Sequence, residues 1–160
     1  MPEHYDELET RDPNIREAAL MAALPAQIQH AQNTSLAFAE ILKGVDSASI
    51  NSREALSQLP VTRKYELLQR QQSQRTINPF GGFNTHGFGR HMPRVFASPG
   101  TIYEPEGTRT DYWRMARAIY AAGFRAGDLI HNCFSYHFVP AGSMMETGAH
   151  AVGCTVFPGG

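Results

Sequence analysis

The sequence predicts an α/β protein in which N-terminal helices precede the first βαβαβ part of a mainly parallel, incomplete sheet. Helix caps and helical spacing of apolar residues fill the first 75 residues. Beyond residue 92, short segments typical of strands alternate with segments typical of helices, an order that indicates crossover connections and parallel strands. The predicted organisation is therefore a helical segment at 1–75, a Gly/Phe loop at 76–91 and the start of an α/β domain at 92–160.

The first helix is predicted over residues 12–31. Asp12 is a good N-cap, and Pro13 at the first helical position fits because that position needs no backbone donor. Apolar residues recur at helical spacing, namely Leu20, Met21, Leu24, Ile28 and Ala31. Pro25 removes one backbone hydrogen bond, so we expect it to kink or split this helix.

Capping residues also mark three shorter helical segments. Ser35 opens a helix through Leu42, Ser52 caps a short turn, and Thr62 is expected to cap a third helix. The Gln- and Arg-rich end of that third helix, residues 70–75, is expected to be exposed to solvent.

The loop at 76–91 combines several glycines with Phe80, Phe83 and Phe88. One interpretation is a surface loop whose aromatic side chains are anchored on the protein. The other is a contact for a partner or substrate.

The α/β part is predicted to begin with a β-hairpin and to continue with helices and strands in alternation. Asp111 starts a helix, with Trp113 expected on its buried face, and Gly123 and Gly153 end the two helices. The predicted elements are strands at 95–97 and 101–103, a helix at 111–122, a strand at 129–134, a helix at 140–152 and a strand at 154–157.

Composition excludes several classes of protein. Fourteen basic and fifteen acidic residues give a net charge of -1, which makes nucleic acid an improbable partner. The acidic start has no apolar core of a secretory signal, and no apolar run is long enough for a membrane helix. A cytoplasmic protein with reduced, buried thiols at Cys133 and Cys154 is expected. A disulfide between them is a minor alternative.

A structural zinc site is a second minor alternative. Ligand-type side chains cluster late in the chain, at His131, Cys133, His137, His150 and Cys154. Their spacing does not match the paired ligand motifs of structural zinc sites, so no metal site is predicted.

The order of these segments resembles the phenylacetate–CoA ligase family of adenylate-forming enzymes. The resemblance extends from about Tyr5 to Gly160 and depends on the order of five segments more than on any one of them. They are an entry segment at 59–64, a strand and loop at 94–101, a helix-to-strand turn at 122–128, an aromatic loop at 136–142 and a strand at 153–158.

The resemblance implies a two-step reaction. A small carboxylic acid, typically an aryl acid such as phenylacetate, attacks the α-phosphate of ATP to form an acyl-adenylate, and the thiol of CoA then displaces AMP. The implied cofactors are ATP, Mg²⁺ and CoA in the full-length enzyme. Because the sequence ends after a strand in mid-sheet and lacks the family's downstream base and ribose loops, hinge and C-terminal lysine domain, we expect it to be an N-terminal part of that enzyme, inactive alone.

The family's phosphate loop, Ser-Ser-Gly-Thr-Thr-Gly-Lys-Pro, is altered here. The resemblance assigns ATP binding to Ser98, Gly100 and Thr101, since hydroxyls and glycine suit close contact with phosphates. This sequence departs from the family's loop at Pro99, Ile102, Tyr103 and Glu104. Three interpretations remain: a loop that still binds ATP, a divergent enzyme with weak adenylation, or a plain hairpin turn.

The resemblance assigns acid binding to the aromatic loop. Tyr136 and Phe138 would line the acid pocket, His137 would gate it, and Gly142 would belong to the same loop. If residues 134–138 are extended, their aromatic side chains share one face. The alternatives are ordinary core aromatics and a structural histidine.

A non-catalytic homologue is the alternative function. Such a remnant would bind a small aromatic acid or a protein partner. Apolar surface around Trp113 and Phe157 would drive association, so a homo-oligomer is expected.

Overall fold

The computed structural model describes residues 2–160 and has the α/β composition predicted from the sequence. Its contacts divide the chain into two units. The helical unit is Arg11–Gly87. The α/β unit combines residues 2–10 with Phe88–Gly160.

The helical unit contains four α-helices around a small apolar core. They are α1 Pro13–Thr34, α2 Leu36–Ile41, α3 Arg53–Ser57 and α4 Lys64–Ser73, with a 3-10 turn at Ser47–Ser49. The core is formed by Ile28, Leu42 and Ile50.

Three of the predicted caps are confirmed. Asp12 Oδ1 accepts hydrogen bonds from the N–H groups of Asn14 and Ile15 at 2.8 and 3.2 Å. Ser35 and Ser52 cap α2 and α3 in the same way. The local hydrogen bonds that define these caps involve residues two or three positions apart, which is why the sequence alone predicts them.

Two expectations in the helical unit need correction. Helix α1 is not split at Pro25, because the loss of one hydrogen bond does not interrupt a 22-residue helix. Thr62 does not cap α4, which begins one residue later. The Glu66 carboxylate instead accepts the N–H of Arg63 at 3.1 Å.

Up to Gly87 the Gly/Phe loop is anchored on the helices of its own unit, as one of the two interpretations predicted, whereas Phe88 belongs to the other unit and is 72% exposed. Phe80 is buried, and Phe83 packs edge-to-face on Phe38 with ring centroids 5.5 Å apart. The Ser35 hydroxyl donates to the Gly82 carbonyl at 2.8 Å. Gln71, expected to be exposed at the end of α4, is buried.

The α/β unit contains two small sheets. Strands β1 Arg94–Ser98 and β2 Ile102–Glu106 form the predicted hairpin. Strands β3 Leu129–Asn132 and β4 Thr155–Pro158 pair in parallel, with α6 Ala141–Val152 as their crossover. The parallel pairing predicted from the alternation of strands and helices is therefore confirmed for β3 and β4.

The core of the α/β unit lies between α6 and α5 Ala116–Ala121. Its buried members are Ala116, Ile119, Tyr120, Ala149, Val152 and Cys154. Residues 2–10 pack on this core. The Tyr5 ring lies edge-to-face on Tyr120, and Arg117 pairs with Asp6 at 2.8 Å.

Helix α5 begins five residues later than predicted. Asp111 and Arg114 have φ values of 50° and 59°, outside the helical region, so the chain enters the helix only at Ala116. Trp113 consequently lies outside the helix and packs against Phe96 and Tyr112.

Asp111→Ala is expected to destabilise the α/β unit by about 2 kcal/mol, because Asp111 Oδ1 caps the N–H groups of Met115 and Ala116 at 2.7 and 3.1 Å. Alanine also tolerates a positive φ poorly. Urea unfolding followed by the fluorescence of Trp113, the single tryptophan, measures this loss. Asp111→Asn keeps an acceptor and should lose less than half as much. Equal loss in both variants would contradict the capping role.

Both cysteines are free, as expected. Cys154 is buried, but Cys133 is exposed, contrary to the prediction, because β3 has already ended at Asn132. Burial, with a smaller contribution from the Asp128 charge, raises the pKa of Cys154.

Within residues 2–160, no three His, Cys, Asp or Glu side chains lie close enough together to hold a metal ion. No helix among the same residues is both long and apolar enough to cross a membrane.

Candidate active site

The segment assigned to ATP binding forms the tip of the β1–β2 hairpin. The N–H of Thr101 donates to the Ser98 carbonyl at 3.0 Å, which closes a turn with Pro99 and Gly100 at its centre. Gly100 has a φ of 99°, as a type II turn requires at this position.

Thr101 is strained. Its φ is 60°, a value that costs a β-branched residue on the order of 1 kcal/mol. The residue is exposed at the tip, whereas Ser98 is half-buried. Strained backbone of this kind persists where the surrounding structure imposes it and is concentrated in functional sites.

The aromatic loop follows β3 and is organised by Asn132. The buried Asn132 amide donates to the Tyr136 hydroxyl at 2.6 Å and to the Gly142 carbonyl at 2.9 Å. The N–H of Gly142 donates back to the Ser135 carbonyl at 2.9 Å. These bonds fold the loop against the first turn of α6.

Tyr136 is the inward-facing aromatic of this loop. Burial, together with a hydrogen bond to the Glu146 carboxylate, raises the pKa of Tyr136 to about 12. The phenol is therefore protonated at neutral pH.

Phe134 and Phe138 do not share a face with Tyr136. They are 53% and 80% exposed, so the interpretation of both as core aromatics is wrong. The physical reason is that the strand stops at Asn132 and residues 133–140 form bends instead of an extended segment. His137 is also exposed.

The structure joins the hairpin to the aromatic loop. The N–H of Ala97, next to Ser98, donates to the carbonyl of Phe138 at 2.7 Å. Two segments separated by about 40 residues, each assigned to a ligand from the sequence, are thus held side by side within one unit.

An apolar cavity of about 430 Å³ opens beside the carboxyl end of β3. Its volume suits a small organic molecule. The lining residues are Ile119, Phe124, Ile130, His131, Asn132, Cys133, Phe134 and Met145.

Sequence analysis missed Glu106, a carboxylate bonded to three different side chains. Its side chain is only 2% exposed and accepts hydrogen bonds from Arg94 at 2.5 Å, Trp113 Nε1 at 2.7 Å and the Ser143 hydroxyl at 2.5 Å. Glu106 follows an unremarkable Glu-Pro pair, so no local signal identifies it.

Burial alone would raise the pKa of Glu106, but the hydrogen bonds from Ser143, Trp113 and Arg94 outweigh it and hold the pKa below its ordinary value of 4.5. A depressed pKa in the folded state stabilises the fold above pH 4.5, and that stabilisation disappears as the pH falls through the folded-state pKa.

We therefore expect the stability difference between the wild type and Glu106→Gln to be constant near neutral pH and to shrink below about pH 4.5. Urea midpoints of both proteins, measured from pH 7 downward, test this. A difference that grows on acidification would contradict the assigned direction of the shift.

No protein-family model matches the chain. Curated relatives match most of it in sequence. The phenylacetate–coenzyme A ligase of Aromatoleum evansii is 34% identical over 123 residues, which cover 72% of this chain and 26% of that protein. The phenylacetate–coenzyme A ligase of Thermus thermophilus is 33% identical over 124 residues, covering 72% and 25%. The chain spans about a quarter of the length of the curated relatives it matches.

Solved structures show the same fold. A crystal structure of 2-hydroxyisobutyryl-CoA ligase in the postadenylation state superposes with a TM-score of 0.85, at 20% identity, over 98% of this chain and 34% of that one. An open conformation of 2-hydroxyisobutyryl-CoA ligase, in complex with 2-HIB-AMP and CoA, gives 0.84 at 21% identity, over 98% and 37%. The predicted fold, the beginning of an adenylate-forming ligase domain, is confirmed.

Proposed function

Because this chain belongs to the phenylacetate–CoA ligase family of adenylate-forming enzymes, we propose that it is part of an AMP-forming acid–CoA ligase. The acid substrate is phenylacetate or a similar aryl acid. The reactants are this acid, ATP and CoA.

The observation that carries the proposal is the hydrogen bond from Ala97 to Phe138. Adenylation requires a carboxylate and the α-phosphate of ATP to meet in one site, because positioning supplies much of the catalysis. The bond places the segment proposed for phosphates next to the segment proposed for the acid.

The proposed roles follow from exposure and chemistry. Thr101 and Ser98 offer hydroxyl donors, and Gly100 allows a phosphate to approach the backbone closely. The apolar cavity beside β3, which is not lined by residues 136–142, would receive the aryl group. Tyr136 and Gly142 hold the aromatic loop at 136–142 (the acid loop from here on) in shape, while His137 and Phe138 are exposed at its surface.

In the proposed reaction, a carboxylate oxygen of the acid bonds to the α-phosphorus of ATP and pyrophosphate leaves. The CoA thiolate then bonds to the acyl carbon and AMP leaves. No three metal-ligand side chains converge among residues 2–160, so no step is assigned to Mg²⁺ held by this part of the chain.

The test is pyrophosphate release from ATP in the presence of phenylacetate, measured on the protein produced from its natural gene. Thr101→Gly removes the hydroxyl and relieves the positive φ. It should lower the rate about tenfold or more while leaving the melting temperature unchanged or higher. Thr108→Gly, at another exposed threonine of the unit, is the matched control and should keep the wild-type rate.

A specific observation favours a second candidate, a non-catalytic binder of a small aromatic acid. Glu104 places a carboxylate on β2 near the hairpin tip, where the family has a cation, and a carboxylate repels phosphates. Phenylacetate binding without pyrophosphate release would support this candidate over the ligase.

A further inference from the structure

Glu106 lies at the end of β2 farthest from the hairpin tip. In the register of the hairpin it pairs with Arg94, whereas the tip is closed by Ser98 and Ile102. Its side chain is therefore remote from the proposed phosphate site, and its burial and three donors require another explanation.

The three donors belong to three different segments of the unit. Arg94 begins β1, Trp113 lies in the connection before α5, and Ser143 lies in the first turn of α6. Arg94 also donates to the Ser143 hydroxyl at 3.3 Å, so two of the three donors are hydrogen-bonded to each other. One carboxylate thus binds the base of the hairpin to the start of α6.

The start of α6 is also where the acid loop is held. The N–H of Gly142, the neighbour of Ser143, donates to the Ser135 carbonyl, and the Gly142 carbonyl accepts from the Asn132 amide. The hairpin is consequently attached at two points, to the start of α6 through Glu106 at its base and to the acid loop through Ala97 near its tip. The two attachments lie at opposite ends of the hairpin, so together they constrain its orientation.

We propose that Glu106 is a positioning residue that sets the hairpin tip at a fixed place relative to the acid loop. This inference rests on the proposed function of the two loops. Glu106 touches neither loop tip and acts through Arg94 and Ser143.

The hydrogen bonds around Glu106 explain why a glutamine side chain should not replace its carboxylate. Oε1 accepts from Arg94, and Oε2 accepts from both Trp113 and Ser143. A glutamine has one acceptor oxygen and one NH₂ group, so at least one donor of the protein would face another donor. Glu106→Gln should therefore loosen one side of the attachment while keeping the volume of the side chain.

The first test is amide hydrogen exchange in the 160-residue chain, which needs no catalysis. In Glu106→Gln the exchange rate of the Ala97 amide should rise about tenfold or more, relative to the exchange rates of amides in β3 and β4. Val152→Ala, a core change on α6 outside the group, should speed up exchange across the unit without singling out Ala97. Equal effects of the two variants on Ala97 would overturn the proposal.

The second test is steady-state kinetics of the protein produced from its natural gene, at a temperature where both variants remain folded. Glu106→Gln should lower kcat/KM about tenfold for the carboxylic acid, as displacement of reacting groups does. Val152→Ala should keep the wild-type value, and Ser143→Ala should lie between. A wild-type value in Glu106→Gln would also overturn the proposal.

The two tests separate two kinds of failure. A wild-type protein without ligase activity overturns the proposed function, yet the exchange of Ala97 still reports whether Glu106 fixes the hairpin. Normal activity with unchanged Ala97 exchange in Glu106→Gln overturns the positioning role alone.

Discussion

Glu106→Ala is expected to lower the free energy of unfolding of the α/β unit by about 4 kcal/mol, the largest loss that we predict. The substitution leaves the buried Ser143 hydroxyl and the half-buried Trp113 indole N–H without their acceptor and removes the ionic partner of Arg94. A donor left without its acceptor typically costs about 1–3 kcal/mol, and two donors are affected, whereas the half-exposed Arg94 guanidinium can turn to water.

Urea unfolding at pH 7, followed by Trp113 fluorescence and by circular dichroism, measures this loss. Glu104→Ala is the matched control, because it removes a half-buried glutamate from the same strand. The control should change stability by less than about 0.5 kcal/mol, as surface substitutions usually do. Similar losses in both variants would contradict the role given to Glu106.

Gly142→Ala is expected to destabilise the same unit by about 3 kcal/mol, the upper end of the usual cost of overpacking. A Cβ at this position would lie 2.8 Å from the Ser135 carbonyl oxygen and 2.8 Å from Cγ of Tyr136. Neither neighbour can move easily, because the Ser135 carbonyl oxygen belongs to the backbone and the Tyr136 hydroxyl is hydrogen-bonded to Asn132.

Gly87→Ala is the control for Gly142→Ala, since nothing lies within 4 Å of a Cβ built there. Urea midpoints should fall for Gly142→Ala and remain at the wild-type value for Gly87→Ala. An unchanged midpoint for Gly142→Ala would show that the loop can move away from α6, which would contradict the close packing of the loop on the first turn of α6.

Local signals account for the parts of the fold that the sequence predicts well. The caps at Asp12 and Ser35, the Pro-Gly turn at 98–101 and the helix end at Gly153 each depend on residues within a few positions. Their hydrogen bonds form between near neighbours, so the residue types alone indicate them.

Contacts distant in sequence account for the parts that it does not predict. The late start of α5 depends on positive φ values at Asp111 and Arg114, which no residue type there requires. The burial of Glu106 depends on Ser143, 37 positions away. No sequence pattern within either segment indicates these backbone angles or this distant partner.

The candidate site shows the same division. Hydroxyls and glycine led to the proposal of a phosphate segment at 98–101, and aromatic residues to the proposal of an acid loop at 136–142. That these segments meet depends on a bond between Ala97 and Phe138, backbone atoms whose residue types carry no information about pairing. Their roles in binding remain proposals supported by this juxtaposition.

The most direct test of the account is acid-dependent pyrophosphate release from ATP by the protein produced from its natural gene, with phenylacetate and 2-hydroxyisobutyrate compared side by side. We expect release with phenylacetate that exceeds release with 2-hydroxyisobutyrate, followed by thioester formation when CoA is added. Absence of release with either acid, from protein whose Trp113 fluorescence shows a folded α/β unit, would contradict it.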